Sequence, residues 1–167
     1  DPSVLKMIHL SNRKTRISEF LNSLSVVPVS ISYEKDPNDI LKAKELYLTS
    51  LNTHYNKEPR EDLQSISDGI TGQKGDVHLS IGEVLEFNED CYESSAKLIT
   101  DRINSLYKCH ATNEAACVIQ GLPLNSSEFT EDEIEVAMSY LKERLHFIED
   151  AMQPFLLKQY SNSNYKL

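Results

Sequence analysis

The chain has 167 residues, 40% of them apolar and 26% charged, with a formal net charge of −9. That balance belongs to a globular chain and fits one domain or part of one. The acidic excess reads as a solvated surface and argues against non-specific nucleic-acid binding, because phosphates are repelled.

The densest basic group, Arg13, Lys14 and Arg16, is too short for a nucleic-acid patch, although it suits contact with lipid headgroups. Cys91, Cys109 and Cys117 lack CxxC spacing, which points to reduced, buried thiols and away from a zinc site. No apolar run approaches the roughly 20 residues of a spanning helix, and the opening does not read as a secretory leader. The chain opens on Asp1-Pro2 without a Met, so the expectation is that sequence upstream is missing.

In chain order, Asp1 caps a short helix over 2–14 that carries Val4, Leu5 and Ile8, and Phe20, Leu21 and Leu24 continue in helical register. Residues 26–33, Val-Val-Pro-Val-Ser-Ile-Ser-Tyr, are β-branched and largely apolar. They read as a strand covered on both faces, as in a parallel α/β sheet, with Pro28 at a start, edge or bulge. Asp36-Pro37-Asn38-Asp39 starts a helix expected to reach about Thr53. A further helix begins after Pro59 and ends at Gly72; residues 76–81 then alternate as a half-buried strand. Asn88 to Lys108 reads as helix, with Ala96, Ile99, Ile103 and Leu106 on one face. Thr130 to Glu133 forms a capping box for a helix whose stripe runs from Ile134 through Met138, Leu141, Leu145 and Ile148 to Met152, stopping near Pro154. Phe155-Leu156-Leu157 opens a last helical piece that docks on the body or dips into a membrane surface, and a polar tail ends the chain.

Two short strands do not make a sheet of ordinary size, so the strand at 26–33 is expected to pair with upstream sequence or within an oligomer. His78 and Glu83 are five apart, a near miss to a His-x4-acid pair, and read as an ordinary strand histidine beside a carboxylate. Gly72-Gln73-Lys74-Gly75 lacks Walker spacing and reads as a helix end turning into a strand. His146 and Asp150 stand at i, i+4 and suit a surface pair better than a metal pair. Asn125-Ser126-Ser127 matches the glycosylation tripeptide without a secretory context. There is no Gly-x-Ser-x-Gly elbow, no metal set and no complete active site.

The segment from Val26 to Glu34 resembles the fourth motif of the glycerol-phosphate and 1-acyl-glycerol-3-phosphate acyltransferase family, a Pro-centred apolar strand. Four later segments are similar to one bacterial branch of that family: the Asp36-Pro37 turn, the Lys42 to Tyr47 helix, the Gly72 to His78 turn and strand, and Pro154 to Leu157. The opening, Asp1-Pro2 to Lys6-Met7, is similar to the stretch just past that branch's third motif, so the likeness spans nearly the whole chain.

The resemblance implies the C-terminal portion of an acyltransferase-type α/β sheet domain, with residues 1–124 as its distal half and 125–167 as a helical C-terminal extension. It implies transfer of an acyl group from acyl-CoA or acyl carrier protein to a glycerolipid acceptor hydroxyl, in the cytoplasm at the inner membrane of a bacterium, with no cofactor. Of the motifs, the fourth alone carries over. It implies that Val27, Pro28, Val29 and Ser30 help shape the substrate pocket. The family's His-x4-Asp is absent, because the fifth residues after His9, His54, His78, His110 and His146 are Lys14, Pro59, Glu83, Ala115 and Ala151. This chain alone is therefore expected to be inactive, with an upstream half of the same polypeptide as partner. The alternative is a non-catalytic module that binds a lipid or a protein.

Overall fold

The computed structural model describes residues 1–51, 59–124 and 127–162, and divides into two compact units. Thr53 at the expected helix end, His54, Asn125-Ser126 and the tail beyond Asn162 lie outside the described residues. The first unit is Asp1–Ser32 with His78–Lys108, and the second is Tyr33–Val77 with Cys109–Leu167. This division differs from the one drawn at 124/125, since the helices after 125 share the second unit's core.

The first unit contains α1 (Pro2–His9) and α2 (Ile17–Ser23), most of β1 (Val29–Tyr33) and β2 (Val77–Ile81), and α5 (Tyr92–Ser105). The Asp1 carboxylate accepts from Ser3 N–H at 2.8 Å, the expected cap. The N-terminus of α2 is capped from afar, because Asp90 accepts both the Ser18 N–H and the Ser18 hydroxyl, which holds its carboxyl below the usual range. Leu5, Ile17, Phe20, Leu21, Leu85, Phe87 and Ala96 form the core. Asn22 clamps the Phe87 backbone reciprocally, accepting from its N–H and donating to its carbonyl, both at 2.9 Å. His9 is buried with Nε2 3.0 Å from the Thr15 carbonyl, so Nε2 carries the proton and Nδ1 accepts from the Tyr92 hydroxyl at 2.8 Å.

The strands overturn two expectations. β1 pairs with β2 in a two-stranded sheet, and the pairing is antiparallel, not parallel. Pro28 O accepts from Gly82 N–H and Asp76 O from Glu34 N–H, each at 2.9 Å. That register sets Val29 opposite Ile81 and Ile31 opposite Leu79 on one face. The face is uncovered: Val29 is 49% exposed, Ile31 48%, Leu79 57% and Ile81 68%, whereas Ser30 and Ser32 are 4% and 2% exposed. The alternation read for residues 76–81 holds, but it is turned over, with the aliphatics facing out. The strand at 26–33 is covered on one face and not on two, because its small serines take the inner positions.

The second unit holds α3 (Asp39–Ser50), α4 (Glu61–Thr71), α6 (Ala111–Gln120), α7 (Glu131–His146) and α8 (Gln153–Ser161). Alanines 43, 115, 116 and 137 sit among Leu141, Leu156, Leu157 and Tyr160, so the helices approach closely. The capping box of α7 forms, with Glu133 accepting from Thr130 N–H at 2.8 Å and Thr130 from Glu133 N–H at 3.3 Å. The helix stops at His146, short of Pro154, which instead enters the first turn of α8. Leu156 and Leu157 are buried, so the Pro154 to Leu157 segment docks on its own unit. α6 was not read from the sequence as an element, although left-handed Gly121 marks its end. α4 is turned over like the sheet. Ser65 and Gly69 face Asn38, while Leu63, Ile66 and Ile70 are exposed.

A polar network locks this unit. The Asp39 side chain is fully buried and receives the Arg144 guanidinium through two nitrogens, the Tyr160 hydroxyl at 2.9 Å and Ile40 N–H at 2.7 Å. Tyr160 in turn accepts from Asp36 N–H at 3.1 Å. Removing one partner of such a buried pair strands the other, so Asp39→Ala should cost about 3 kcal/mol and Tyr160→Phe about 2 kcal/mol by urea unfolding. Burial, reinforced by Asp39, pushes the Tyr160 hydroxyl far above the usual tyrosine range, and burial raises Tyr140 as well. The folded state thus keeps protons that the unfolded chain releases above about pH 10. Stability should therefore hold below that pH and fall above it, and Tyr160→Phe should flatten the alkaline fall in a pH series of urea melts.

Candidate functional site

The first unit contains a cleft of about 580 Å³ whose lining includes Pro28, Gly82, Leu85, Leu98, Arg102 and Leu106. One wall is the stretch from Ile81 to Glu86, held to the start of β1 by Gly82 N–H to Pro28 O and Leu85 N–H to Val26 O, both 2.9 Å. The facing wall is the C-terminal half of α5. Leu98, Arg102, Ser105 and Leu106 are spaced i, i+4, i+7 and i+8, which places them on one helical face. That face runs roughly 12 Å along the helix axis.

Gly82 brings the two walls together. A Cβ there would lie 2.8 Å from Pro28 Cγ and 3.0 Å from Leu106 Cδ1. The lining is mixed: Pro28, Leu85, Leu98 and Leu106 supply apolar side chains, and Arg102, Ser105, Glu83 and Glu86 supply polar ones. The Ser105 hydroxyl is engaged, donating to the Arg102 carbonyl at 2.8 Å. Among the described residues, no histidine and no cysteine lines it.

The structure separates the four residues carried over from the fourth motif. Pro28 is buried and lines the cleft; Ser30 is buried on the same side of the strand, while Val27 and Val29 are exposed. What sequence reasoning missed is the other wall, above all Arg102 and the Leu98–Leu106 face. The apolar face read for α5 was Ala96, Ile99, Ile103 and Leu106, and Leu106 alone belongs to both.

No family model, no curated protein and no solved structure matches the chain.

The remaining candidates resolve as structure. His78 lies on β2 and is half-buried, and Glu83 lies in the first wall of the cleft, beyond the strand. Asp150 lies past the end of α7, so His146 and Asp150 do not share a helix. The Gly72 to Gly75 turn links α4 to β2, and Lys74 Nζ donates to the carbonyls of Ile70 at 3.1 Å and Gly72 at 3.0 Å, closing the helix end. Burial, helped by Glu114 and Glu128, pushes the Cys109 thiol up, away from thiolate chemistry. Among the described residues, no group of three or more His, Cys, Asp or Glu is placed to hold a metal ion. Among them, too, no helix is long and apolar enough to cross a membrane.

A second, smaller cleft of about 320 Å³ lies in the second unit beside Lys35, Pro37, Thr71, Gly72, Tyr140 and Arg144. Its cations are already engaged: Arg144 holds Asp39, and Lys35 stands 5.2 Å over the Tyr140 ring and 3.9 Å from Glu34. That hollow belongs to the network that locks the unit.

A side chain at position 82 must push Pro28 or Leu106 aside, so Gly82→Ala should cost about 2 kcal/mol, read as a lowered urea midpoint. The same change at Gly121 meets nothing within 4 Å but must adopt a left-handed φ of +66°, so its cost, about 1 kcal/mol, should be conformational, with the core left intact.

Proposed function

We propose that this chain is the lipid-facing distal part of a glycerolipid acyltransferase, binding an acyl chain in the Pro28 cleft while the catalytic pair is supplied from outside it. The observation that carries this reading is that the proline of the fourth-motif-like segment lines a cleft together with the apolar side chains of Leu85, Leu98 and Leu106. The uncovered aliphatic sheet face supports it, since a larger α/β layer would bury such a face.

In the complete reaction a histidine takes the proton of the acceptor hydroxyl, an ester C–O bond forms, the thioester C–S bond breaks and the thiol leaves. The family's aspartate orients that histidine. The acceptor is a glycerol phosphate or lysophosphatidate-type lipid, the donor is acyl-CoA or acyl carrier protein, and the work is done peripherally at a bacterial inner membrane. In this chain Pro28, Leu98 and Leu106 would exclude water from the acyl chain and fix its direction. No catalytic step falls to them.

A second reading is a non-catalytic module that binds a lipid or a protein, and the outward stripe of Leu63, Ile66 and Ile70 favours it. One assay separates the two. The polypeptide is incubated with palmitoyl-CoA and glycerol 3-phosphate, thiol release is monitored, and amide NMR shifts are mapped during titration with a short-chain acyl-CoA. The acyltransferase reading expects no thiol release above the blank, with shifts centred on Gly82, Leu98 and Leu106. Thiol release by this chain alone would contradict the division of labour. Shifts confined to α4 would favour the module.

A further inference from the structure

The cleft carries three formal charges beside the apolar side chains of Pro28, Leu85, Leu98 and Leu106: the Arg102 guanidinium and the carboxylates of Glu83 and Glu86. The nearest charges along α5 are spoken for, because Lys97 and Asp101 pair at 2.6 Å. Among the described residues, Arg102, Glu83 and Glu86 take part in no ion pair and their side chains in no hydrogen bond, in contrast to Arg16, Lys42 and Arg144. One cation and two anions among the described residues therefore stand without an ion-pair partner at a single cleft.

A ligand head with two negative charges would gain Arg102 but meet both carboxylates. A plain cation would gain the carboxylates and strand the guanidinium. A head carrying both signs satisfies all three, and the apolar side chains of Pro28, Leu98 and Leu106 beside them suit an alkyl chain. We propose that the cleft seats a single-chain zwitterionic amphiphile, its phosphate on Arg102, its ammonium between Glu83 and Glu86, and its alkyl chain along Pro28, Leu98 and Leu106. This rests on the acyltransferase reading and goes beyond it by adding a lysophospholipid with an amine-bearing headgroup to the acceptors that the cleft takes.

The test is calorimetric and NMR titration with three probes of equal chain length, each below its micellar concentration: lysophosphatidylethanolamine, lysophosphatidate and a neutral alkyl maltoside. The charged side chains are exposed and screened, so the zwitterion should bind about tenfold more tightly than lysophosphatidate, with a smaller preference at high salt. Arg102→Ala should bring the zwitterion down to the neutral probe. Glu83→Gln combined with Glu86→Gln should raise lysophosphatidate to the level of the zwitterion. Because these residues are exposed, the fold should survive each change, which far-UV circular dichroism checks. Equal affinity for the two phospholipids, or preference for lysophosphatidate, overturns the headgroup assignment and leaves the acyl cleft standing. Failure of all three probes to shift residues of the cleft overturns both.

Discussion

The register of β1 against β2 governs what the first unit hides and what it presents. Side chains alternate across a strand, so the pairing of Pro28 with Gly82 sends Pro28, Ser30 and Ser32 to one side and Val29 and Ile31 to the other. A slip of one residue would bury the aliphatics, withdraw Pro28 from the cleft and bring a bulkier neighbour to the place where Gly82 admits Leu106. Such a slip would bury more apolar surface, yet the structure keeps the other register. The close contact around Gly82 and the reciprocal Asn22–Phe87 clamp accompany that register. The outward face is thereby a consequence of building the cleft. Leaving about half of each aliphatic side chain in water forgoes on the order of 1 kcal/mol apiece, which a covering layer would recover.

The two units differ in how their charged side chains are engaged. In the second, four helices close around Leu141 and Leu156 on small alanine contacts, and the buried Asp39 has every strong partner that a carboxylate needs. In the first, a modest core built on Leu5, Leu21, Leu85, Phe20 and Phe87 supports a sheet with one bare face and a cleft with free charges. Binding surfaces come from incompleteness of this kind, because groups already satisfied within the fold have little left to offer a ligand. The contrast between Arg144, clamped by Asp39, and Arg102, without an ion-pair partner among the described residues, states that difference in two residues.

Local signals were legible where a few neighbouring residues decide the outcome. The Asp1 cap, the Thr130–Glu133 box, the alternation over 77–81 and the helix end at Gly72 are all short-range chemistry, and they form. What the sequence concealed depends on distant partners. α6 offered little amphipathic contrast because Thr112, Asn113 and Glu114 are buried on it along with the alanines, so its inward face does not look apolar. The Asp90 cap on α2 comes from 72 residues away. The apolar run at 26–33 conceals the sheet's true arrangement, because Val29 and Ile31 face out while Ser30 and Ser32 hold the inner positions. The same inversion recurs on α4, whose glycine and serine pack and whose leucine and isoleucines do not.

The site was half visible for the same reason. Pro28 stood out as a proline inside a strand, a position that demands an explanation. Arg102 did not, since an arginine near the C-terminus of a helix is accounted for by the dipole alone. Its distinction emerges when Gly82 draws the far wall against Leu106 and leaves the guanidinium at the same cleft as Glu83 and Glu86. A residue ordinary in its own helix becomes a candidate recognition group through what the fold sets in the opposite wall, and no reading of either segment by itself supplies that juxtaposition.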